Sequence, residues 1–253
     1  MTEHDDNRPR LRRADLRRLR DSLLKSDAGM PATIAPPAPP SPTPAPSSRP
    51  AAPMEDQHGG TIMTVCTGNI CRSPMAEVLL RSALADLGVR VHSAGTHALV
   101  DEAMTEQALQ LAIGHGADAK GAGDHRARLL TGPLLAETDL VLTMAREHRS
   151  FVVQTMPALL HRTFTVREFA RLGANLGDDD VRRGVAAAGS DAGARLQALA
   201  RLIGGQRGLV LAEPDNDDVI DPYRRSQNTY DLSASQLVPA IAEAARVIRA
   251  ALT

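Results

Sequence analysis

From Thr61 onward, short apolar runs alternate with stretches of helical period. Thr61 to Val65 predicts a buried strand, followed by a loop and a helix from Pro74 to about Leu87. Val89 to Ser93 predicts a second strand and Glu102 to His115 a second helix. Asp139 to Met144 is apolar after its first residue, as strands buried in a parallel sheet are. A helix over Arg146 to Met156 and a short strand near Thr163 to Val166 follow. A last helix runs through Leu232 to Leu252, with Pro239 as a kink or restart point. Strand and helix in alternation predict a three-layer α/β fold: a four-stranded parallel sheet with helices on both faces. In such sheets the functional site lies at the carboxyl ends of the strands.

Two segments break the pattern. Residues 1–57 read as a basic and Pro-rich disordered extension, ahead of a domain over residues 58–253. Within the extension, Leu16, Leu19 and Leu23 recur at helical spacing among the arginines of Arg8 to Lys25. That spacing fits a short amphipathic helix that is marginal and solvated, or one that meets a partner. Pro31 to Pro53 has too little apolar content to bury a core and reads as an extended linker. Met54 offers an alternative start of translation just ahead of the first strand. The second break, Gly173 to Gly208, carries an acidic run at Asp178 to Asp180 and a helix from Ala192 to Ile203. It reads as an insertion.

Composition narrows the function classes. The 253 residues are 43% hydrophobic, enough for a sizeable core, but include no Trp, two Tyr and three Phe. Leu, Val, Ile, Ala and Met must therefore build that core. A net charge of -1 argues against a general nucleic-acid binder. No apolar run approaches the roughly 20 residues of a membrane-spanning helix. The N-terminal arginines lack the apolar stretch of a secretory signal, so the expected location is the cytoplasm. The two cysteines, Cys66 and Cys71, supply neither a disulfide framework nor a zinc ligand set, and no metal or cofactor is expected.

Chemistry concentrates in Cys66-Thr67-Gly68-Asn69-Ile70-Cys71-Arg72-Ser73-Pro74. A strand ends in a cysteine, a compact loop follows, and a helix begins near Pro74, with Ser73 a suitable N-cap. The amides of such a loop and the helix N-terminus form an anion-binding nest that fits a phosphate dianion. Cys66 at its base is a candidate nucleophile, because aligned amides and Arg72 stabilise negative charge on sulfur. Arg72 offers a planar fork for two phosphate oxygens. Ser73 can donate a hydrogen bond to the sulfur. Cys-x5-Arg alone also fits a buried structural cysteine near an arginine. Far along the chain, Asp221-Pro222-Tyr223 places a carboxyl beside a stiff turn. Alone, that is a common turn.

Taken whole, the CTGNICRSP string resembles the phosphate-binding loop of the low-molecular-weight protein tyrosine phosphatases. The resemblance runs from about Thr61 to Leu252, apart from the insertion. It implies the family's phosphatase fold and hydrolysis of phosphotyrosine through a cysteinyl-phosphate. It also implies phosphate binding by Thr67 to Arg72 and a general-acid role for Asp221 in the Asp-Pro-Tyr loop. Val91-His92-Ser93-Ala94-Gly95-Thr96 and His125-Arg126-Ala127-Arg128 resemble further family segments. They imply that Ser73, Ser93 and His125 hold Asn69 in a strained conformation. Cys71 then either fills space or traps oxidised Cys66 as a reversible disulfide. Implied partners are tyrosine-phosphorylated proteins, either a bacterial tyrosine kinase of polysaccharide export or host proteins, and nothing in the residues selects between them.

Two departures touch the substrate. Thr96-His97-Ala98-Leu99-Val100 lacks the Phe, Tyr or Trp that family members place beside a substrate ring, leaving Leu99 to pack there. Tyr223 is followed by Arg224 and Arg225, which suit acidic substrate sequences or simply face water. Two other functions share these residues. An arsenate reductase uses the same loop with a low-molecular-weight thiol, and a non-catalytic phosphoprotein-binding module needs only the nest.

Overall fold

The computed structural model describes residues 59–211 and 216–253. The chain divides into Met1–Pro53 and Met54–Thr253, and the described residues fall in the second unit. The expected extension helix and Pro-rich linker lie outside the described residues.

Four strands form one parallel sheet: β1 (Thr61–Cys66), β2 (Arg90–Gly95), β3 (Leu140–Thr143) and β4 (Thr163–Thr165), in the order β2-β1-β3-β4. The central strands β1 and β3 are buried throughout, which is why both read as continuous apolar runs. Side chains alternate between faces. Ile62, Leu140, Leu142 and Phe164 join the larger core, while Met63, Val65 and Val141 join a smaller one on the opposite face.

In chain order the helices are α1 (Arg72–Ala83), α2 (Glu106–Gly114), α3 (Ala119–Gly123), α4 (Gly132–Ala136), α5 (Arg146–Thr155), α6 (Val166–Gly173), α7 (Asp178–Val185), α8 (Ala192–Gly205) and α9 (Gln227–Leu252). α1, α6, α8 and α9 bury apolar residues in the larger core, and Leu135 of α4 and Val152 of α5 in the smaller. The sheet is thus covered on both sides.

Several boundaries differ from expectation for identifiable reasons. α1 begins at Arg72 with Cys71 as its N-cap, so Ser73 lies inside the first turn. Pro74 is tolerated there because first-turn amides have no helical partner. α2 starts at Glu106, since the preceding stretch runs along the Cys66 loop, to which Thr96, His97, Leu99 and Thr105 give their amides. α9 begins at Gln227 and continues through Pro239. Pro239 and Ser235, whose helical hydrogen bond it removes, both face solvent, so water replaces the lost partner.

α6 was hidden behind the short β4. Thr165 Oγ1 accepts from Glu168 N at 3.1 Å, the Thr-x-x-Glu cap of a helix start. The segment 173–208 holds two helices, α7 and α8, where only the second was expected. The Asp178 to Asp180 run lies on the first turn of α7, where negative charge favours a helix start. Asp191 caps α8 by accepting from Ala194 N at 2.7 Å. Val181, Val185, Leu196, Leu199 and Ile203 from these helices belong to the larger core, so the segment packs as part of the domain.

Candidate active site

The loop from Cys66 to Arg72 links the carboxyl end of β1 to α1, and its carbonyls are turned outward one after another. Those of Cys66, Thr67 and Gly68 accept from the amides of Thr96, His97 and Leu99 at 2.9 to 3.0 Å. Asn69 O accepts from His125 Nε2 at 2.8 Å, Ile70 O from Thr105 N at 2.9 Å and Cys71 O from Met75 N at 3.2 Å. With the carbonyls held outward, the amides between them face a common concavity, a backbone nest for an anion. Gly95 permits this close packing. A Cβ there would stand 2.4 Å from Thr67 O.

Asn69 is the strained residue of the loop, left-handed at φ 56 and fully buried. Its Nδ2 donates to Ser73 Oγ at 3.0 Å and to Ser93 Oγ at 2.7 Å, and its Oδ1 accepts from Arg128 N at 2.9 Å. Because a carbonyl only accepts, the bond to Asn69 O puts a proton on His125 Nε2. The expected group of Asn69, Ser73, Ser93 and His125 is therefore together in space.

Behind it lies a residue the sequence reading missed. Glu77 is 3% exposed, accepts from Ser93 Oγ at 2.5 Å, pairs with Arg81, and lies 3.7 Å from His125 Nδ1. Burial alone would push its carboxyl up. The facing His125 imidazole, the Ser93 hydrogen bond and the Arg81 charge outweigh that and hold it below the usual carboxylate range. The available signal was an acid inside the buried run Met75 to Leu80.

Cys66 is 2% exposed, and its Sγ lies 3.0 Å from Ser73 Oγ and 3.3 Å from the Asn69 amide, which donates to it. Arg72 Nη1 donates to Val219 O at 3.0 Å and Nη2 to Asp221 Oδ2 at 2.6 Å. Arg72 Nε is buried without a hydrogen-bond partner. A buried guanidinium donor left unpaired costs stability, and an incoming anion oxygen would satisfy it. Asp221 Oδ1 also accepts from Tyr223 N at 3.1 Å, which fixes the carboxylate at the turn.

A cavity of about 140 Å³ opens over these groups, lined by Cys66, Arg72 and Asp221 with His97, Leu99 and Tyr223 at its walls. The stretch 96–100, which has no Phe, Tyr or Trp, places His97 beside Leu99 at the cavity wall. His97 supplies a ring, braced edge-on against Phe151 at 5.9 Å between centroids. Arg224, left-handed at φ 58, lays its guanidinium over the Tyr223 ring at 5.1 Å.

His148 was also missed. It is 2% exposed on the first turn of α5, and its Nε2 lies 2.9 Å from Thr67 Oγ1 and 3.4 Å from Glu147 Oε1. A carboxylate cannot donate, so proximity to Glu147 favours the proton on Nε2, leaving the Thr67 hydroxyl proton free for the cavity. Burial, then the Arg72 charge, depress the imidazole to about 4, so His148 is neutral at neutral pH.

Cys71 Sγ contacts Thr105 Oγ1 at 3.4 Å and Tyr230 OH at 3.6 Å. Burial pushes its thiol up despite those hydrogen bonds. Both cysteines are free thiols. Among the described residues no cluster of His, Cys, Asp and Glu could hold a metal ion, and no helix is long and apolar enough to cross a membrane.

Comparison with known proteins points the same way. Residues 61–181 match the model of the family described as low molecular weight phosphotyrosine protein phosphatase. The low molecular weight protein-tyrosine-phosphatase Etp of Escherichia coli K12 is 42% identical over 103 residues, which cover 41% of this chain and 66% of that protein. The probable low molecular weight protein-tyrosine-phosphatase EpsP of Ralstonia nicotianae is 41% identical over 108 residues, covering 43% and 71%. A protein-arginine-phosphatase of Bacillus subtilis is 34% identical over 110 residues, covering 43% and 71%. Among solved structures, the low molecular weight protein tyrosine phosphatase from T. tengcongensis aligns with 27% identity and a TM-score of 0.50, over 73% of this chain and 97% of that one. The chain thus spans about two-thirds of the length of the curated relatives it matches. The family match ends at residue 181, so it is the folding of the chain that brings Asp221 to Arg72.

Proposed function

This chain belongs to the low-molecular-weight protein-tyrosine-phosphatase family, and from that premise we propose that it hydrolyses phosphotyrosine in proteins through a cysteinyl-phosphate. The observation that carries the reading is that Cys66, whose sulfur accepts from the Asn69 amide, and Arg72, paired with Asp221, line one cavity with the loop between them.

In the first step the Cys66 sulfur attacks phosphorus in line, forming the S–P bond as the bond to the phenolic oxygen breaks. The loop amides and Arg72 hold the three remaining oxygens, whose charge spreads in the transition state. Asp221, carrying a proton, gives it to the leaving phenolic oxygen. In the second step the Asp221 carboxylate takes a proton from water. That water attacks phosphorus, the S–P bond breaks, and inorganic phosphate leaves with the sulfur again a thiolate. Ser73 donates to the sulfur in both steps. Asn69, held by Ser93, His125 and Ser73, keeps the loop in its anion-binding shape.

The walls support an aryl substrate. His97 and Tyr223 supply rings and Leu99 an aliphatic face. Proteins phosphorylated on tyrosine are the proposed partners, with a bacterial tyrosine kinase as the narrower form of that reading. Two free cysteines suit a reducing compartment, the cytoplasm.

Purified full chain with p-nitrophenyl phosphate in chelator, beside Cys66→Ser, tests the reading. Turnover that vanishes in the variant supports it. Equal turnover by Cys66→Ser would overturn it. A folded protein that binds phosphate without turnover would favour a phosphoprotein-binding module or a thiol-coupled arsenate reductase.

A further inference from the structure

A second cavity, of about 280 Å³, lies on the other side of the Asn69 network from the nucleophile. Its charged and titratable lining is Glu77, Arg81, Asp124, His125, Arg126 and Arg128. The two acids are already engaged: Glu77 by Arg81 and Ser93, and Asp124 by Lys120 at 2.7 Å. Arg126 and Arg128 have no carboxylate partner among the described residues. Arg126 Nη1 donates only to the carbonyls of Gly123 and His125, at 3.3 and 2.6 Å, and Arg128 Nε only to Ser93 O at 2.8 Å. Although Asp124 on the same lining feels the charge of Arg126, two guanidinium groups with no ion pair among the described residues thus line one recess, each with unused N–H donors. That is the donor geometry a tetrahedral oxyanion takes in bidentate fashion.

We propose that this recess is a second anion site for inorganic phosphate or a small phosphate ester, coupled to the catalytic loop. The coupling runs through shared residues. Arg128, which lines the recess, holds Asn69 Oδ1 with its backbone amide at 2.9 Å. Arg81, also on the recess, compensates Glu77, which accepts from Ser93, which in turn accepts from Asn69 Nδ2 at 2.7 Å. An anion that draws Arg81 and Arg128 toward itself takes counter-charge from the buried Glu77. It thereby loosens the hold on the left-handed Asn69. Occupancy should lower turnover without blocking substrate entry, because the recess and the substrate cavity share no lining residue. Feedback by product phosphate rests on the proposed hydrolysis; the anion site does not.

The test titrates the full chain with inorganic phosphate, following backbone amides and arginine Nε–Hε signals by NMR, with inhibition kinetics in parallel. Two sets of shifts with separate midpoints are expected, one over residues 66–73 and one over residues 121–128 with the Arg81, Arg126 and Arg128 side chains. Arg126→Gln should raise the second midpoint at least about fivefold and leave the first, and activity without phosphate, unchanged. Phosphate inhibition should show a part that lowers kcat by about two- to fivefold without raising KM, absent in Arg126→Gln. Shifts confined to residues 66–73, or a second set unchanged in both Arg126→Gln and Arg81→Gln, would overturn the site. Purely competitive inhibition alongside two sets of shifts would overturn the coupling. Because binding is read by NMR, failure of the hydrolysis reading stays distinguishable from failure of the site.

Discussion

Arg72 Nη2 lies 2.6 Å from Asp221 Oδ2, though 149 positions separate the two in the chain. The pair joins the anion-holding group to the proposed proton donor and positions Asp221 over the cavity before substrate arrives. Asp221→Asn should lower kcat on p-nitrophenyl phosphate by about 10² to 10³ while phosphate affinity changes little. With 2,4-dinitrophenyl phosphate, whose leaving group needs little protonation, the deficit should shrink. An equal deficit on both esters would remove Asp221 from the general-acid role.

Asn69 couples backbone strain to a side-chain network. Asn69→Ala keeps the left-handed position but loses both Nδ2 donors and the Oδ1 acceptor, leaving Ser93 and Arg128 N short of partners. A loss of about 1–3 kcal/mol in stability is expected from denaturant unfolding. kcat should fall further than KM rises, since the loop shape matters most in the transition state. Wild-type kcat in this variant would show that the loop holds its shape without Asn69.

His148 makes stability depend on pH. Its folded value is depressed to about 4 against an ordinary value of 6.5, so between those values the unfolded chain takes up a proton that the native chain refuses. Stability is therefore unaffected by His148 above pH 6.5 and falls as pH drops toward 4, by up to about 3 kcal/mol. His148→Gln should flatten that slope, as read by urea unfolding at pH 7, 6 and 5. A slope unchanged from wild type would show that other groups set it.

His97 stands beside Leu99 at the wall of the cavity. His97→Ala should raise KM for aryl phosphates several-fold, in line with about 1 kcal/mol for one ring contact. Alkyl phosphates, lacking a ring, should show little change. Equal losses on both substrate types would place His97 in loop support rather than substrate contact.

Gly95 carries the tightest backbone approach in the site. Gly95→Ala puts a Cβ 2.4 Å from the Thr67 carbonyl, and rigid backbone on both sides must give. Loss of activity together with a clear fall in Tm is expected. Normal Tm and kcat would mean that β2 and the loop separate easily.

Much of this was legible along the chain because it is local. The buried strands β1 and β3 read as apolar runs, and their alternation with helices sufficed for a parallel sheet covered on both faces. The loop was legible for the same reason: a cysteine, its anion-binding amides and Arg72 fall within seven consecutive residues. What the sequence left open concerns groups that meet only after folding. Glu77 looked like one more helix residue until β2 and the 119–128 segment closed over it. His148 carries no local signal; α5 brings it against Thr67, where burial and Arg72 suppress its charge. Arg81, Arg126 and Arg128 come from two separate segments and make a recess only when both pack against β2. Ser73, a good N-cap by type, lies inside the helix, with its hydroxyl beside the Cys66 sulfur. Local pattern thus determined the strands, most helices and the nucleophile loop by itself. Tertiary structure decided which distant charges compensate one another, because Coulomb and hydrogen-bond energies depend on separation and burial rather than on position along the chain.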